Sequence, residues 1–105
     1  MAEVDVAKVQ FTVRCTIAID VEDDVVCILG NVPQLGSWEH TNAIPMIREE
    51  AYSDSKEQTW TVSIELPVQQ PVEYKYVLKH QGAISRWETI PGNRTVMPGA
   101  NNFAL

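Results

Sequence analysis

The three tryptophans of this 105-residue chain are the side chains best suited to specific recognition. Trp38 lies in a turn-rich loop, where a large aromatic ring is either an exposed binding anchor or a plug over the end of the core. Trp87 follows a turn at Gln81-Gly82. If that hairpin is centred near Gln81, Lys75 faces Trp87 and both lie on the exposed side of a sheet. A register shift of one residue would bury Trp87 instead.

Asn93 adds a side-chain amide, with two donors and an acceptor, in the turn that follows Trp87. Its simplest interpretation is an ordinary turn asparagine. Two flat indoles beside this amide and the ammonium group of Lys75 would suit a sugar, because the C–H faces of a pyranose are apolar and its hydroxyl groups need hydrogen bonds. These residues alone leave both interpretations open.

Catalytic chemistry has no comparable set of residues. The two histidines, His40 and His80, have no serine, cysteine or aspartate at the spacing of a catalytic nucleophile. No ligand pair has the short spacing of a metal site, and no glycine-rich phosphate loop occurs. The acidic pairs Asp23-Asp24 and Glu49-Glu50 fall in charged turns, where solvated carboxylates are usual. We therefore expect no enzyme activity, no cofactor and no metal.

The charge of the chain points away from polyanionic partners. It has 14 acidic and 8 basic residues, a formal charge of −6, whereas nucleic acids and anionic membranes attract basic surfaces. No apolar stretch has the length of a membrane helix. The start, Met1–Asp5, lacks the basic and apolar regions of a signal peptide. We expect a cytoplasmic location if this start is native, and the compartment stays open if the chain was cut from a longer protein.

The cysteines and one sequon also bear on the compartment. Cys15 and Cys27 are too few for a disulfide scaffold, and each lies in an apolar, strand-like run. Free thiols are the favoured interpretation, and a disulfide between neighbouring strands is the alternative. Asn93-Arg94-Thr95 is a glycosylation sequon. A glycan there would block the site suggested above, which disfavours a secreted protein.

The elements that must position these residues are β-strands. Apolar and polar residues alternate with a period of two, which predicts half-buried strands. Three alternating sets stand out: Phe11, Val13, Cys15, Ile17 and Ile19; Trp60, Val62, Ile64 and Leu66; and Val72, Tyr74, Tyr76 and Leu78.

Shorter strands are predicted between these alternating runs and after them. They lie at Val25–Gly30, which is expected to be the hairpin partner of the first alternating strand, and at Ala43–Ile47, Ile84–Glu88 and Arg94–Met97. Loops are predicted at Asn31–Asn42 and Arg48–Gln58. Such short strands predict a single all-β domain over residues 1–105, either a sandwich or an open barrel.

Several motifs occur in a fixed order along the chain. They are Gly30–Trp38 (GNVPQLGSW), Trp60–Pro67 (WTVSIELP), Val72–Val77 (VEYKYV), Trp87-Glu88 and Asn93–Val96 (NRTV). Together they resemble the starch-binding domains of carbohydrate-binding module family 20, with a match from about Phe11 to Val96. The resemblance implies an immunoglobulin-like β-sandwich, or open-sided distorted barrel, of about seven to eight mostly antiparallel strands. It also implies binding of α-1,4-glucans such as starch, glycogen, maltooligosaccharides and cyclodextrins.

The resemblance further implies roles for individual residues. In the family, the tryptophans that match Trp38 and Trp87 form a compact first site. The residues matching Lys75 and Asn93 hydrogen-bond the sugar there, and the one matching Glu88 lies beside the site. The run from Trp87 to Asn93 is one residue longer than usual, so a small displacement of Asn93 is expected.

A second family site is only partly represented in this sequence. In the family it uses a tyrosine from the first hairpin, a loop tyrosine and the tryptophan that matches Trp60. The acidic run Glu22–Asp24 stands where the first tyrosine is expected, and Tyr52 is the candidate for the loop tyrosine. Trp60 alternates in step with Val62, so its side chain is expected in the core. Tyr52 and Trp60 therefore predict a weak second site at most.

The leading hypothesis is a non-catalytic module that tethers an attached catalytic domain to starch or glycogen. We expect it to be a monomeric domain of a longer chain that binds neither nucleic acid nor membranes. The alternative is a protein-interaction β-sandwich without sugar binding. The joint presence of Trp38, Lys75, Trp87 and Asn93 argues against that alternative.

Overall fold

The fold is given by a computed structural model, which describes residues 5–16, 23–49 and 58–99. Eight strands lie in these ranges: β1 Val6–Cys15, β2 Asp24–Gly30, β3 Ile44–Pro45, β4 Ile47–Arg48, β5 Gln58–Pro67, β6 Val72–His80, β7 Ala83–Trp87 and β8 Arg94–Val96. Two short 3₁₀ segments, Pro33–Trp38 and His40–Asn42, lie between β2 and β3. The all-β prediction is confirmed.

The strands form two antiparallel sheets that do not close into a barrel. The small sheet has the order β1-β5-β4, and the large sheet has the order β3-β2-β6-β7. β8 also pairs with β6. It pairs with Val72–Tyr74, whereas β7 pairs with Val77–His80, so β7 and β8 lie end to end along one edge of β6. The loop between them crosses the middle of that edge.

The expected hairpin between the first two strands is wrong. β1 pairs with β5 over its whole length, from Val6 opposite Pro67 to Cys15 opposite Gln58. β2 pairs with β3 and β6 instead, so β1 and β2 belong to different sheets. Alternation identifies a strand and its buried face. It does not identify the partner strand, because pairing depends on the packing of elements distant in sequence.

The core fills the space between the inner faces of the two sheets. The strands contribute Phe11, Trp60 and Leu66 from the small sheet, and Val26, Ile28, Val72 and Tyr76 from the large sheet. Full burial of one such side chain contributes about 1.5–3 kcal/mol. Phe11, Trp60, Leu66, Val72 and Tyr76 are on the inward sides of the alternating runs, as the sequence predicted, whereas Val26 and Ile28 come from the apolar run of β2. Ile17 and Ile19, from the first of those runs, lie outside the described residues.

The predicted strand Ala43–Ile47 is split between the two sheets. β3 pairs with β2 in the large sheet, and β4 pairs with β5 in the small sheet. Met46 lies at the crossing, where it is 4% exposed and its N–H donates to the Val26 carbonyl at 2.9 Å. Two-residue strands are too short for any periodic pattern, so the sequence could not indicate this crossing.

Both cysteines are free thiols, which confirms the favoured interpretation. Cys15 packs against the core from the small sheet. Cys27 lies on the outer face of the large sheet, in a second apolar cluster. A disulfide between Cys15 and Cys27 required β1 and β2 to be neighbouring strands. They lie in different sheets, so that premise is wrong.

Candidate functional site

The outer face of the large sheet carries the second, smaller apolar cluster, which we call the outer cluster. It consists of Cys27, Leu29, Ala43 and Val77. Trp38 packs against it and is half-buried. Trp38 therefore plugs no part of the core between the sheets. Its ring rests on the outside of the sandwich and remains partly open to solvent.

A strained turn places Trp38 on this face. Gly36, Ser37 and Trp38 all have positive φ values, of 85°, 49° and 62°. Glycine adopts this conformation at little cost, whereas a bulky residue such as tryptophan does so rarely. A Cβ at Gly36 would lie 2.6 Å from the carbonyl oxygen of Asn42, so the position has no room for a side chain.

Backbone hydrogen bonds hold the turn in this strained shape. The Val32 carbonyl accepts from the N–H groups of Leu35 and Ser37, at 2.9 and 3.0 Å. The Gly36 carbonyl accepts from the N–H of Glu39 at 2.8 Å. Strained backbone persists only where the surrounding structure over-determines it, and such strain is often found at binding sites. The turn is thus shaped by the protein before any ligand arrives.

Trp87 lies at the end of β7 with 38% of its surface exposed. Its cross-strand partner is Val77 rather than Lys75, so the predicted pairing is wrong. The hairpin is centred slightly later than expected, and an irregularity between Leu78 and Lys79 moves the register further. The total displacement is two residues. Because side chains alternate with a period of two, Trp87 still lies on the same face as Lys75, as predicted.

Lys75 lies between Trp87 and Asn93 on this outer face. The outward row of β6 runs Glu73, Lys75, Val77, and Val77 is opposite Trp87. At the other end of the row, the Asn93 amide nitrogen donates to the Glu73 carboxylate at 3.4 Å. Along the outward row of β6, the position of Lys75 therefore lies between the partner of Trp87 and the residue that Asn93 contacts.

Two residues that support this face were missed by the sequence analysis. The rings of His40 and Trp87 pack in an edge-to-face arrangement, with centroids 5.3 Å apart and planes at 64°. Asn31 donates its N–H to the Glu73 carbonyl and accepts the Glu73 N–H on Oδ1, both at 3.0 Å. Both contacts join residues far apart in the chain. The only available signal was that His40 comes two positions after Trp38.

Glu88 supports the turn that follows β7. Its Oε1 accepts the Tyr76 N–H at 3.3 Å, and its Oε2 accepts the Arg94 Nε–H at 2.7 Å. This hydrogen bond raises the pKa of the Arg94 guanidinium. Arg94 in turn lies over the Tyr76 ring, 5.3 Å from its centre. Both carboxylate oxygens are therefore engaged in linking the loop between Trp87 and Asn93 to β6.

A separate cleft of about 260 Å³ opens between the end of β1 and the β6–β7 pair. It is lined by inward-facing residues such as Val13, Cys15 and Leu78, and it also touches Trp87. Its lining comes from β1 of the small sheet and from β2, β6 and β7 of the large sheet, so this cleft lies between the two sheets. A pyranose ring needs a flat aromatic face with polar groups at its edge, and the outer face of the large sheet provides both. We therefore place the candidate site on the outer face.

Trp60 is a core residue, as its alternation predicted. It is 5% exposed and pairs with Val13 across the β1–β5 ladder. Its Nε1 has no hydrogen-bond partner within the part of the chain that the structure describes. Tyr52, the other residue of the possible second site, lies outside the described residues. The second site thus has no exposed indole from Trp60.

The described ranges contain neither a candidate metal site nor a candidate membrane-spanning helix. Within 5–16, 23–49 and 58–99, no group of three or more histidine, cysteine, aspartate or glutamate side chains could hold a metal ion. No helix in these same ranges has the length and apolar character needed to cross a bilayer.

The two unclosed antiparallel sheets with a partly exposed aromatic face define a β-sandwich binding module. The family model described as starch binding domain matches residues 6–104. The chain therefore belongs to the starch-binding domain family, whose members are non-catalytic binding modules of larger enzymes. It is 32% identical over 97 residues to glucoamylase-1 from Schizophyllum commune, covering 92% of this chain and 15% of that protein.

Two further relatives agree with this assignment. Cyclomaltodextrin glucanotransferase from Klebsiella oxytoca is 34% identical over 98 residues, covering 92% of this chain and 13% of that protein. The solved structure of the family 20 carbohydrate-binding module of the maltotetraose-forming amylase from Pseudomonas saccharophila superimposes with a TM-score of 0.66 and 30% identity. That match covers 89% of this chain and 93% of the other. The chain thus matches a whole solved module but only a small part of the curated enzymes.

Proposed function

We propose that this domain binds α-1,4-linked glucans, namely starch, glycogen, maltooligosaccharides and cyclodextrins, by stacking sugar rings on Trp38 and Trp87. The observation that carries the proposal is the gathering of four residues on one outer face. Trp38 comes from the first 3₁₀ segment, Lys75 from β6, Trp87 from β7 and Asn93 from the loop before β8. The domain catalyses nothing by itself.

The chemistry of these residues fits a sugar. Trp38 rests on the outer cluster and Trp87 is partly exposed, so each indole can offer an open face to the apolar C–H surface of a pyranose. The Lys75 ammonium donates hydrogen bonds, and the Asn93 amide both donates and accepts them, which suits hydroxyl groups at the ring edge. A neutral polysaccharide is also compatible with a net charge of −6.

We infer that the module works by tethering. The named relatives are enzymes that act on glucans, and the chain matches only a small part of each. Holding a catalytic domain on the polymer raises the effective concentration of substrate without any new catalytic contact. A monomeric module on a longer chain that binds neither nucleic acid nor membranes is sufficient for this role. The free thiols and the sequon beside the site favour a cytoplasmic setting.

The direct test removes each indole. We expect Trp38→Ala and Trp87→Ala each to abolish measurable β-cyclodextrin binding by calorimetry, because a stacked ring contributes its buried area plus about 0.5–1.5 kcal/mol. Both variants should keep the parent circular dichroism spectrum.

Ile47→Ala is the matched control, since Ile47 is 69% exposed on β4 in the small sheet, away from the outer face of the large sheet. It should bind like the parent. Parent-like binding by both tryptophan variants would show that the site is elsewhere. A parent domain that fails to pull down on insoluble starch would favour the protein-interaction alternative.

A further inference from the structure

His40 joins the two parts of the candidate site. It begins the second 3₁₀ segment, His40–Asn42, which directly follows the turn that carries Trp38. Its ring lies 5.3 Å from the ring of Trp87, at an interplanar angle of 64°. This is the edge-to-face arrangement that aromatic pairs prefer. The loop that holds one indole therefore touches the other indole through the side chain of His40.

Trp87 needs such a contact because its own strand restrains it weakly. It is the last residue of β7, and in the described residues β7 pairs with β6 alone. An exposed aromatic ring at a strand end has several accessible rotamers, and ordering it on binding costs conformational entropy. The contact with His40 limits this freedom, and Trp87 remains 38% exposed.

We propose that His40 is a positioning residue of the glucan site: it fixes the orientation of Trp87 relative to Trp38, so that both rings are ready to stack on one glucan chain. This inference rests on the proposed function. The role belongs to the aromatic ring of His40, because no hydrogen bond to its ring nitrogens is found within the described part of the chain. The side chain is exposed and lies outside the core.

Three substitutions separate ring packing from hydrogen bonding by the imidazole. In titrations with β-cyclodextrin, His40→Ala and His40→Gln should raise Kd about three- to tenfold, on the scale of one edge-to-face pair. His40→Phe keeps an aromatic edge and should stay within about twofold of the parent. Thr41→Ala, at an exposed neighbour in the same segment, is the matched control and should leave Kd unchanged.

Fluorine NMR of protein labelled with 5-fluorotryptophan adds a readout that general destabilisation would not reproduce. The Trp87 resonance should shift in His40→Ala and recover in His40→Phe, while the resonance of buried Trp60 stays in place. An unchanged Kd in His40→Ala, or rescue by His40→Gln but not by His40→Phe, would overturn the proposal. If the parent does not bind β-cyclodextrin, the proposed function fails, whereas an unmoved Trp87 resonance in His40→Ala disproves the contact itself.

Discussion

Trp60 and Trp87 are the same type of residue in opposite environments, and their positions along alternating strands account for the difference. Trp60 lies on the inner face of β5 among core residues. Trp87 lies on the outer face of the large sheet, opposite Val77. Both faces could be predicted from the sequence, because a period of two assigns alternate residues to opposite sides. The contact of His40 with Trp87 could not be predicted from the sequence, because it depends on how a loop folds back over a strand.

The burial of Trp60 predicts a change in stability without a change in affinity. Trp60→Ala should lower the free energy of unfolding by about 3–5 kcal/mol, since it leaves a cavity in the core. β-Cyclodextrin affinity, measured well below the melting temperature, should remain close to that of the parent. Urea unfolding measures the free energy of unfolding, and calorimetry measures the affinity for β-cyclodextrin. Loss of one of two binding sites in Trp60→Ala would instead establish the complete two-site pattern of the family.

The two thiols should react very differently in the folded protein. Cys27 is 2% exposed, and burial raises the pKa of its thiol, an effect that nearby Lys79 opposes only partly. A raised thiol pKa leaves less thiolate, which is the nucleophile, at any pH near neutral. Iodoacetamide should therefore label Cys15, which is only half-buried, well before Cys27.

Mass spectrometry of peptides from the labelled protein checks this order. Unfolding the unreduced protein should expose two free thiols in total. Equal labelling rates in the folded state would contradict the burial of Cys27. The absence of free thiols after unfolding would point to a disulfide and count against a cytoplasmic origin.

At the scale of elements, the sequence predicted strands and faces but neither partners nor fine register. β5 and β6 occur close to where alternation placed them, and β7 occurs close to the strand expected after the Gln81-Gly82 turn. The partner of β1 is β5, more than forty positions away, and no local pattern carries that information. The later centre of the β6–β7 hairpin and the irregularity between Leu78 and Lys79 together moved the partner of Trp87 from Lys75 to Val77. Lys75 stayed on the correct face only because the displacement was an even number of residues.

The turn that carries Trp38 can be tested with a pair of glycines that share one backbone conformation. Gly36 and Gly82 have φ values of 85° and 84°, so replacement by alanine costs each about 1–2 kcal/mol of backbone strain. A Cβ at Gly82 meets nothing within 4 Å, whereas at Gly36 it would lie 2.6 Å from the Asn42 carbonyl. Gly36→Ala should therefore lower the melting temperature further and weaken β-cyclodextrin binding.

Gly82→Ala is the control for strain alone and should retain parent affinity. Thermal unfolding and calorimetry on both variants give the comparison. Equal losses of stability and affinity in the two variants would mean that the fit of Gly36 against Asn42 has no role in placing Trp38.

At the scale of the whole molecule, the two outer faces of the sandwich differ in kind. The large sheet presents two partly exposed indoles. On the small sheet, Gln10 and Thr12 on β1 meet Thr61 on β5 through side-chain contacts of 3.2 and 3.4 Å. These hydroxyl and amide groups can bind water or sugar hydroxyls. They offer no flat apolar ring, so among the described residues the outer face of the small sheet lacks the stacking surface that gives a sugar site its affinity.

This asymmetry predicts one ligand per domain. Titration with a short maltooligosaccharide should give a stoichiometry of one, and Trp38→Ala should remove the whole heat signal. A second site built on Tyr52 would have no exposed indole from Trp60 beside it and should be much weaker. A stoichiometry of two with similar affinities, or residual binding in Trp38→Ala, would contradict the single-site proposal.

The passage of the chain from one sheet to the other at Met46 has a consequence for protein engineering. A cut at this point leaves a first fragment with β1, β2, β3 and Trp38, and a second fragment with β4 to β8 and the other three site residues. Neither fragment contains a complete sheet, because each sheet draws strands from both. The two fragments must therefore reassemble to restore the fold and the site together. The domain is a natural candidate for a split reporter whose reconstitution is detected by recovered glucan binding.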